Sequence, residues 1–144
     1  MLLIVLALVL IGAFFAVVTP LFNTSGAPSA DLGGVLPTTA IAGAPLQVAV
    51  AFDNTGTSVI SPVCIQAAVS GPLQVRTALF QGLDTVSFHN GSACGGALNG
   101  QETVSVVVQL VATSGGVAQL TLVPAQGSTE LGPGLSGTIR VAAP

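Results

Sequence analysis

Residues 46–56 read Leu46-Gln47-Val48-Ala49-Val50-Ala51-Phe52-Asp53-Asn54-Thr55-Gly56. Leu46, Val48, Val50 and Phe52 alternate with Gln47, Ala49 and Ala51, a period of two that puts the large apolar side chains on one face of a strand. The run stops at Asp53-Asn54-Thr55-Gly56, residue types that favour a turn. Working outward, the pattern recurs. Val63, Ile65, Ala67 and Val69 alternate up to Ser70-Gly71-Pro72. Leu73, Val75, Thr77 and Leu79 form the next run, with Gln74 and Arg76 on its other face, and Val86 and Phe88 mark a short fourth. Residues 90–100, rich in Gly and Asn, make the longest loop-like stretch. Val104, Val106, Val108 and Leu110 then alternate with Ser105, Val107 and Gln109, and Ser114-Gly115-Gly116 predicts a hairpin turn into Ala118, Leu120 and Leu122. Residues 124–136 read as a long polar connection, and Ile139 and Val141 close the chain around Arg140. About seven strands with no amphipathic helix between them predict an all-β, immunoglobulin-like antiparallel sandwich over residues 35–144. There is no Trp, so the packing signature of antibody domains is missing.

Upstream of the strands the character of the chain changes twice. Residues 23–34, NTSGAPSADLGG, have small residues, one proline and no hydrophobic period, and predict a linker. Residues 1–19, MLLIVLALVLIGAFFAVVT, carry no charge and no amide. As a helix they would measure roughly 28 Å, near the thickness of a bilayer's hydrocarbon core. Apolar side chains occur all round the helical wheel, so this hydrophobic helix, taken as residues 1–22, must sit in lipid or be packed by protein on every side. A cleaved secretory signal, a permanent membrane span and the core helix of a filament are the three readings. The first fits least, because no Lys or Arg precedes an apolar run of this length.

Composition narrows the function classes. Of 144 residues only 5% are charged, Lys is absent, and Arg76 and Arg140 are the only Lys or Arg side chains. So few cations cannot neutralise a phosphate backbone, which excludes nucleic acid as a partner. Gly and Pro make up roughly a fifth of the chain, below the share of about 25–30% that marks low-complexity disorder. A surface of Ser, Thr, Gln and Asn with little charge is poorly protected against self-association, a property suited to a subunit packed against copies of itself. Membrane orientation is barely encoded, since no Lys or Arg flanks the apolar run. The five carboxylates and both cysteines fall in the downstream domain, which favours an external location.

The start of the chain resembles a mature type IV pilin. Leu3, Ile4, Leu6, Leu8 and Val9 follow the spacing of its hydrophobic start, and Gly12 and Pro20 stand eight apart, much as in bacterial pilins. Val5 stands where bacterial pilins carry a glutamate, and Pro20-Leu-Phe-Asn-Thr-Ser-Gly leads out of the helix where theirs continues. Archaeal type IV pilins and archaeal flagellins commonly lack that glutamate and carry a β-sandwich after the helix, so the chain looks more like the archaeal branch. Val50-Ala-Phe-Asp-Asn-Thr-Gly also resembles the strand-then-Asn-x-Gly pattern of archaeal pilin sandwiches and bacterial surface adhesion modules. The resemblance implies a helical homopolymer whose core is built by Leu3, Ile4, Leu6, Leu8, Leu10, Phe14 and Phe15, with the helix ending at Pro20. It implies a membrane-inserted subunit before assembly and a cell-surface filament after it. Surface ligands or other cells are further candidate partners. Two sequons, Asn23-Thr24-Ser25 and Asn90-Gly91-Ser92, are candidate N-glycosylation sites, and the resemblance implies that such modification is common in that setting.

Candidates for chemistry are few. Cys64 and Cys94 are the only cysteines, and an even count in a small external β-domain predicts a disulfide. The alternative is a pair of free thiols in a reducing cytosol. His89 is the single histidine, Asp84 lies five residues before it, and no Gly-x-Ser-x-Gly elbow is present. One His and two oxidised Cys make no tetrahedral metal site, and five scattered carboxylates make no calcium loop. The expectation is a chain that is not an enzyme and needs no cofactor or metal. A filament subunit is the leading reading. A single-span membrane-anchored accessory subunit, or an anchored adhesion or binding ectodomain, is the alternative.

Overall fold

Around the alternation at Val50 the structure builds a ten-residue strand, and the other apolar runs line up beside and across from it. The computed structural model describes residues 27–144. Among these are eleven strands: β1 (Ala30–Gly33), β2 (Thr39–Ile41), β3 (Pro45–Asn54), β4 (Val63–Ser70), β5 (Leu73–Phe80), β6 (Thr85–Ser87), β7 (Ser92–Cys94), β8 (Thr103–Ala112), β9 (Gly116–Gln126), β10 (Thr129–Glu130) and β11 (Leu135–Ala142). One sheet runs β1-β3-β8-β5-β6 and the other β2-β11-β9-β4-β7, with β10 paired to β9. The pairings are antiparallel except that of β2 with β11. The helix expected over residues 1–22 and the sequon at Asn23 lie outside the described residues.

Period-two patterning turns each sheet's apolar face inward. Val48, Val50 and Phe52 of β3 and Val106, Val108 and Leu110 of β8 meet Ile65, Leu120, Leu122 and Ile139 from the other sheet, all 3% exposed or less. Phe52 and Phe80 are the largest of the fully buried side chains.

Five local expectations are corrected. Ser114-Gly115-Gly116 is not a hairpin: β8 and β9 belong to different sheets, and the turn carries the chain across the core. Alternation reads the same whichever sheet the next strand joins. Part of the expected linker is a strand, because β1 pairs with β3 from Ala30↔Asn54 to Gly33↔Ala51 and buries Ala30 and Leu32. In the expected 90–100 loop, residues 92–94 form β7. Residues 124–126 continue β9 instead of leaving it, and Leu131 is buried after β10. Pro124 is tolerated because its carbonyl and missing N–H face away from β4, where Leu131 N donates to that carbonyl at 2.9 Å.

The fifth correction concerns faces. β5 pairs Val75 with Leu110 and Thr77 with Gln109, so Arg76 is an extra residue, a bulge. A one-residue insertion reverses every side chain beyond it. Ala78 and Phe80 therefore enter the core, while Leu79, expected inside, is 40% exposed.

Register also fixes two ends. At the end where the described chain enters, Thr55 N donates to Ser29 O at 3.1 Å, the hydroxyls of Ser29 and Thr55 lie 2.8 Å apart, and Ala30 N donates to Leu131 O at 3.1 Å. At the far end, Pro45 opposes Val111, Leu73 opposes Ala112 and Gly116 opposes Val141, and the C-terminal residues leave there. Gly71, in the sheet-to-sheet corner after β4, has φ +80 and lies so close to the Val117 carbonyl that a Cβ would collide with it.

The bulge makes a test by neighbouring residues. Phe80→Ala is expected to lose about 3–5 kcal/mol of unfolding free energy, and Leu79→Ser about 0.5 kcal/mol or less. Denaturant titration of the full chain measures both.

Candidate functional site

Cys64 lies on β4 and Cys94 on β7, directly opposite each other in the ladder, and their sulfurs are bonded. The expected disulfide is therefore present. It ties neighbouring strands of one sheet, with Cys64 fully buried and Cys94 half-buried. Upstream, Asn90-Gly91 forms a two-residue turn with φ of 52 and 76. Positive φ at both central positions is what a type I′ hairpin requires, and Asn-Gly is the strongest short signal for one. That signal stood in the sequence beneath the sequon. His89 N donates to Ser92 O at 2.9 Å and Ser92 N to His89 O at 3.0 Å, closing the turn, and Ala67 N donates to Gly91 O at 2.7 Å, fastening it to β4.

The turn forms one wall of an open groove of about 690 Å³. Gly127, Ser128 and Glu130 of the β9–β10 hairpin form the other wall, and Gln66, Ala68, Thr121 and Val123 line the floor. The structure thus brings the disulfide and Asn90 together at one place. Its polar groups are hydroxyls, amides, the His89 imidazole and the Glu130 carboxylate, suited to hydrogen bonding without concentrated charge. Ser92 Oγ lies 3.8 Å from Cys94 Sγ. Among the described residues, no three His, Cys, Asp or Glu side chains gather where they could hold a metal ion. The groove is hidden in the sequence because the β10 wall lies within residues 124–136, which read as a polar connection.

By its place in Asp53-Asn54-Thr55-Gly56, Asn54 signals only a turn. It is fully buried, and its Nδ2 donates to the carbonyls of Ser58 at 2.8 Å, Leu98 at 3.2 Å and Asn99 at 3.0 Å, while Gly56 N donates to its Oδ1 at 3.1 Å. Gln101, at φ 65, adds Nε2 bonds to the carbonyls of Thr55 and Gly56, each 2.9 Å. The loops at the entry end are thereby knotted around one amide.

Comparison with known proteins bears on the fold. No family model matches the chain, and no curated protein matches it. Among solved structures, AvmM, described as catalysing macrocyclization in alchivemycin A biosynthesis, aligns with a TM-score of 0.54 at 14% identity, over 80% of this chain and 88% of that one. The CARDB domain of a Pyrococcus furiosus protein aligns with a TM-score of 0.51 at 12% identity, over 80% and 94%. A family 123 glycoside hydrolase from Clostridium perfringens aligns with a TM-score of 0.54 at 8% identity, over 81% of this chain and 28% of that one. At such identities the likeness shows the fold alone. It is an immunoglobulin-like β-sandwich.

Alkylation of the unreduced, denatured chain is expected to label neither cysteine by intact mass. Reduction should cost roughly 3–4 kcal/mol of stability, from the loop of about thirty residues that the bond closes. Asn54→Ala should cost about 2–3 kcal/mol, since it strands the buried Leu98 carbonyl and removes the bonds to Ser58, Asn99 and Gly56, and denaturant titration reads the loss.

Proposed function

We propose that the chain is the structural subunit of an extracellular filament, with residues 1–22 bundled in the core and the sandwiches forming the outer wall. The observation that carries this reading is the joining of two bodies. An uncharged apolar segment long enough to span a bilayer precedes, by only residues 23–29, a nearly uncharged disulfide-bonded sandwich. Seven residues reach at most about 25 Å, so the domain is held close to whatever encloses the segment. The disulfide supports an external location. Neighbouring copies would cover both the apolar segment and a surface with little charge to keep copies apart.

A second reading, an anchored ectodomain that binds a partner, is favoured by the groove beside Cys94. The two separate in mild detergent. Apolar contacts are spared or strengthened by salt, whereas exposed ion pairs are screened. Size-exclusion chromatography at low and molar salt is expected to show an oligomer or filament in both runs, and electron microscopy of sheared surface material to show filaments. Ile4→Asp or Leu8→Asp should abolish assembly, because several kcal/mol of desolvation oppose a charge there. A single chain in its micelle at both salt concentrations would favour the ectodomain.

A further inference from the structure

The chain's few charges are sorted along the strand axis. Asp31 and Asp53 are register partners at the entry end, Glu102 immediately precedes β8 there, and Glu130 opposes Ala125 near the end of β9. Asp84 lies in the turn between β5 and β6, also at that end. Arg76 and Arg140 lie towards the far end, where Arg140 opposes Val117 and the β5 bulge places Arg76 beside Leu110. One end is acidic and the other half carries both arginines.

Each pole also exposes apolar surface. At the far end, Arg140 shares an outward face with Val117, 61% exposed, and with Ile41, 58% exposed, across β2, β11 and β9. A groove of about 550 Å³ lies there, lined by Thr39, Ile41, Pro45, Arg140 and Ala142. At the entry end, Leu83, 48% exposed, stands beside the exposed Asp84. Asp53 accepts a hydrogen bond from Thr103, and Glu102 from Asn99. Asp84 and Arg140 take no ion pair among the described residues.

Resting on the filament reading, we infer that the Leu83-Asp84 turn of one copy docks in the Arg140 groove of the next. Leu83 packs on Ile41 and Pro45, and the Asp84 carboxylate meets the Arg140 guanidinium. The two surfaces sit at diagonally opposite corners: the turn at the β6 edge of the entry end, the groove at the β2 edge of the far end. A contact between unlike surfaces does not close on itself by a two-fold axis, so repetition strings copies head to tail, staggered by the diagonal placement of the two surfaces, into an open series unless the rotation closes a ring. Hydrophobic burial holds the series together, and the ion pair sets its direction and register.

The test uses the full chain. Arg140→Asp and Asp84→Arg, each alone, should raise the concentration needed for assembly about three- to tenfold at low salt, with a smaller effect at molar salt, and the double variant should restore it. A photo-reactive residue at position 83 should crosslink to the peptide containing Ile41 or Arg140 of another copy, a readout independent of any folding defect in the charge variants. If the wild-type chain assembles but the double variant fails to rescue, or the crosslinks map elsewhere, the docking contact is overturned while the filament reading stands. If the wild-type chain stays single, both fall.

Discussion

Asn54 holds one end of the sandwich together from the inside. Its amide group, itself fully buried, faces the carbonyls of Ser58, Leu98 and Asn99 and the N–H of Gly56, drawn from its own turn and from a loop more than forty residues on. A buried amide is costly unless its donors and acceptor are met, so the loops around it are not independently free to move. The chain enters the fold against this knot, through Ser29 and Thr55. The start of the described chain is therefore tied to a satisfied polar cluster and not to a loose loop.

Much of the fold was legible because alternation and turn chemistry agree along this chain. Leu46–Phe52, Val104–Leu110 and Ala118–Leu122 become strands with the expected faces inward. What stayed hidden depends on the partner strand. Arg76 looks like an ordinary outward residue, and only its pairing with β8 shows that two residues oppose one and that Leu79 and Phe80 exchange places. Likewise the Gly-rich turn at residues 114–116 says that the chain reverses, not which sheet receives it.

The candidate site divides in the same way. The disulfide followed from counting cysteines and from the character of the domain. That Cys64 and Cys94 face each other across neighbouring strands depended on seeing β7 inside a stretch that reads as loop. Asn90-Gly91 carried two signals at once, a sequon and a hairpin turn, and the second is the one that shapes the groove. The likeness to AvmM and to a CARDB domain extends across most of the chain at little sequence identity. Here the sandwich frame is shared while its loops and surface are the chain's own.

The described chain enters at one end of the sandwich and leaves at the other. β1 begins at the entry end beside Asn54, and β11 runs out at the far end beside Gly116. Tension applied between the two termini therefore runs parallel to both strands. The ladder bonds that hold β1 to β3 and β11 to β9 lie across that direction, so they share the load at once instead of parting one by one as in peeling. A domain strung in this way meets stretching with its stiffest axis.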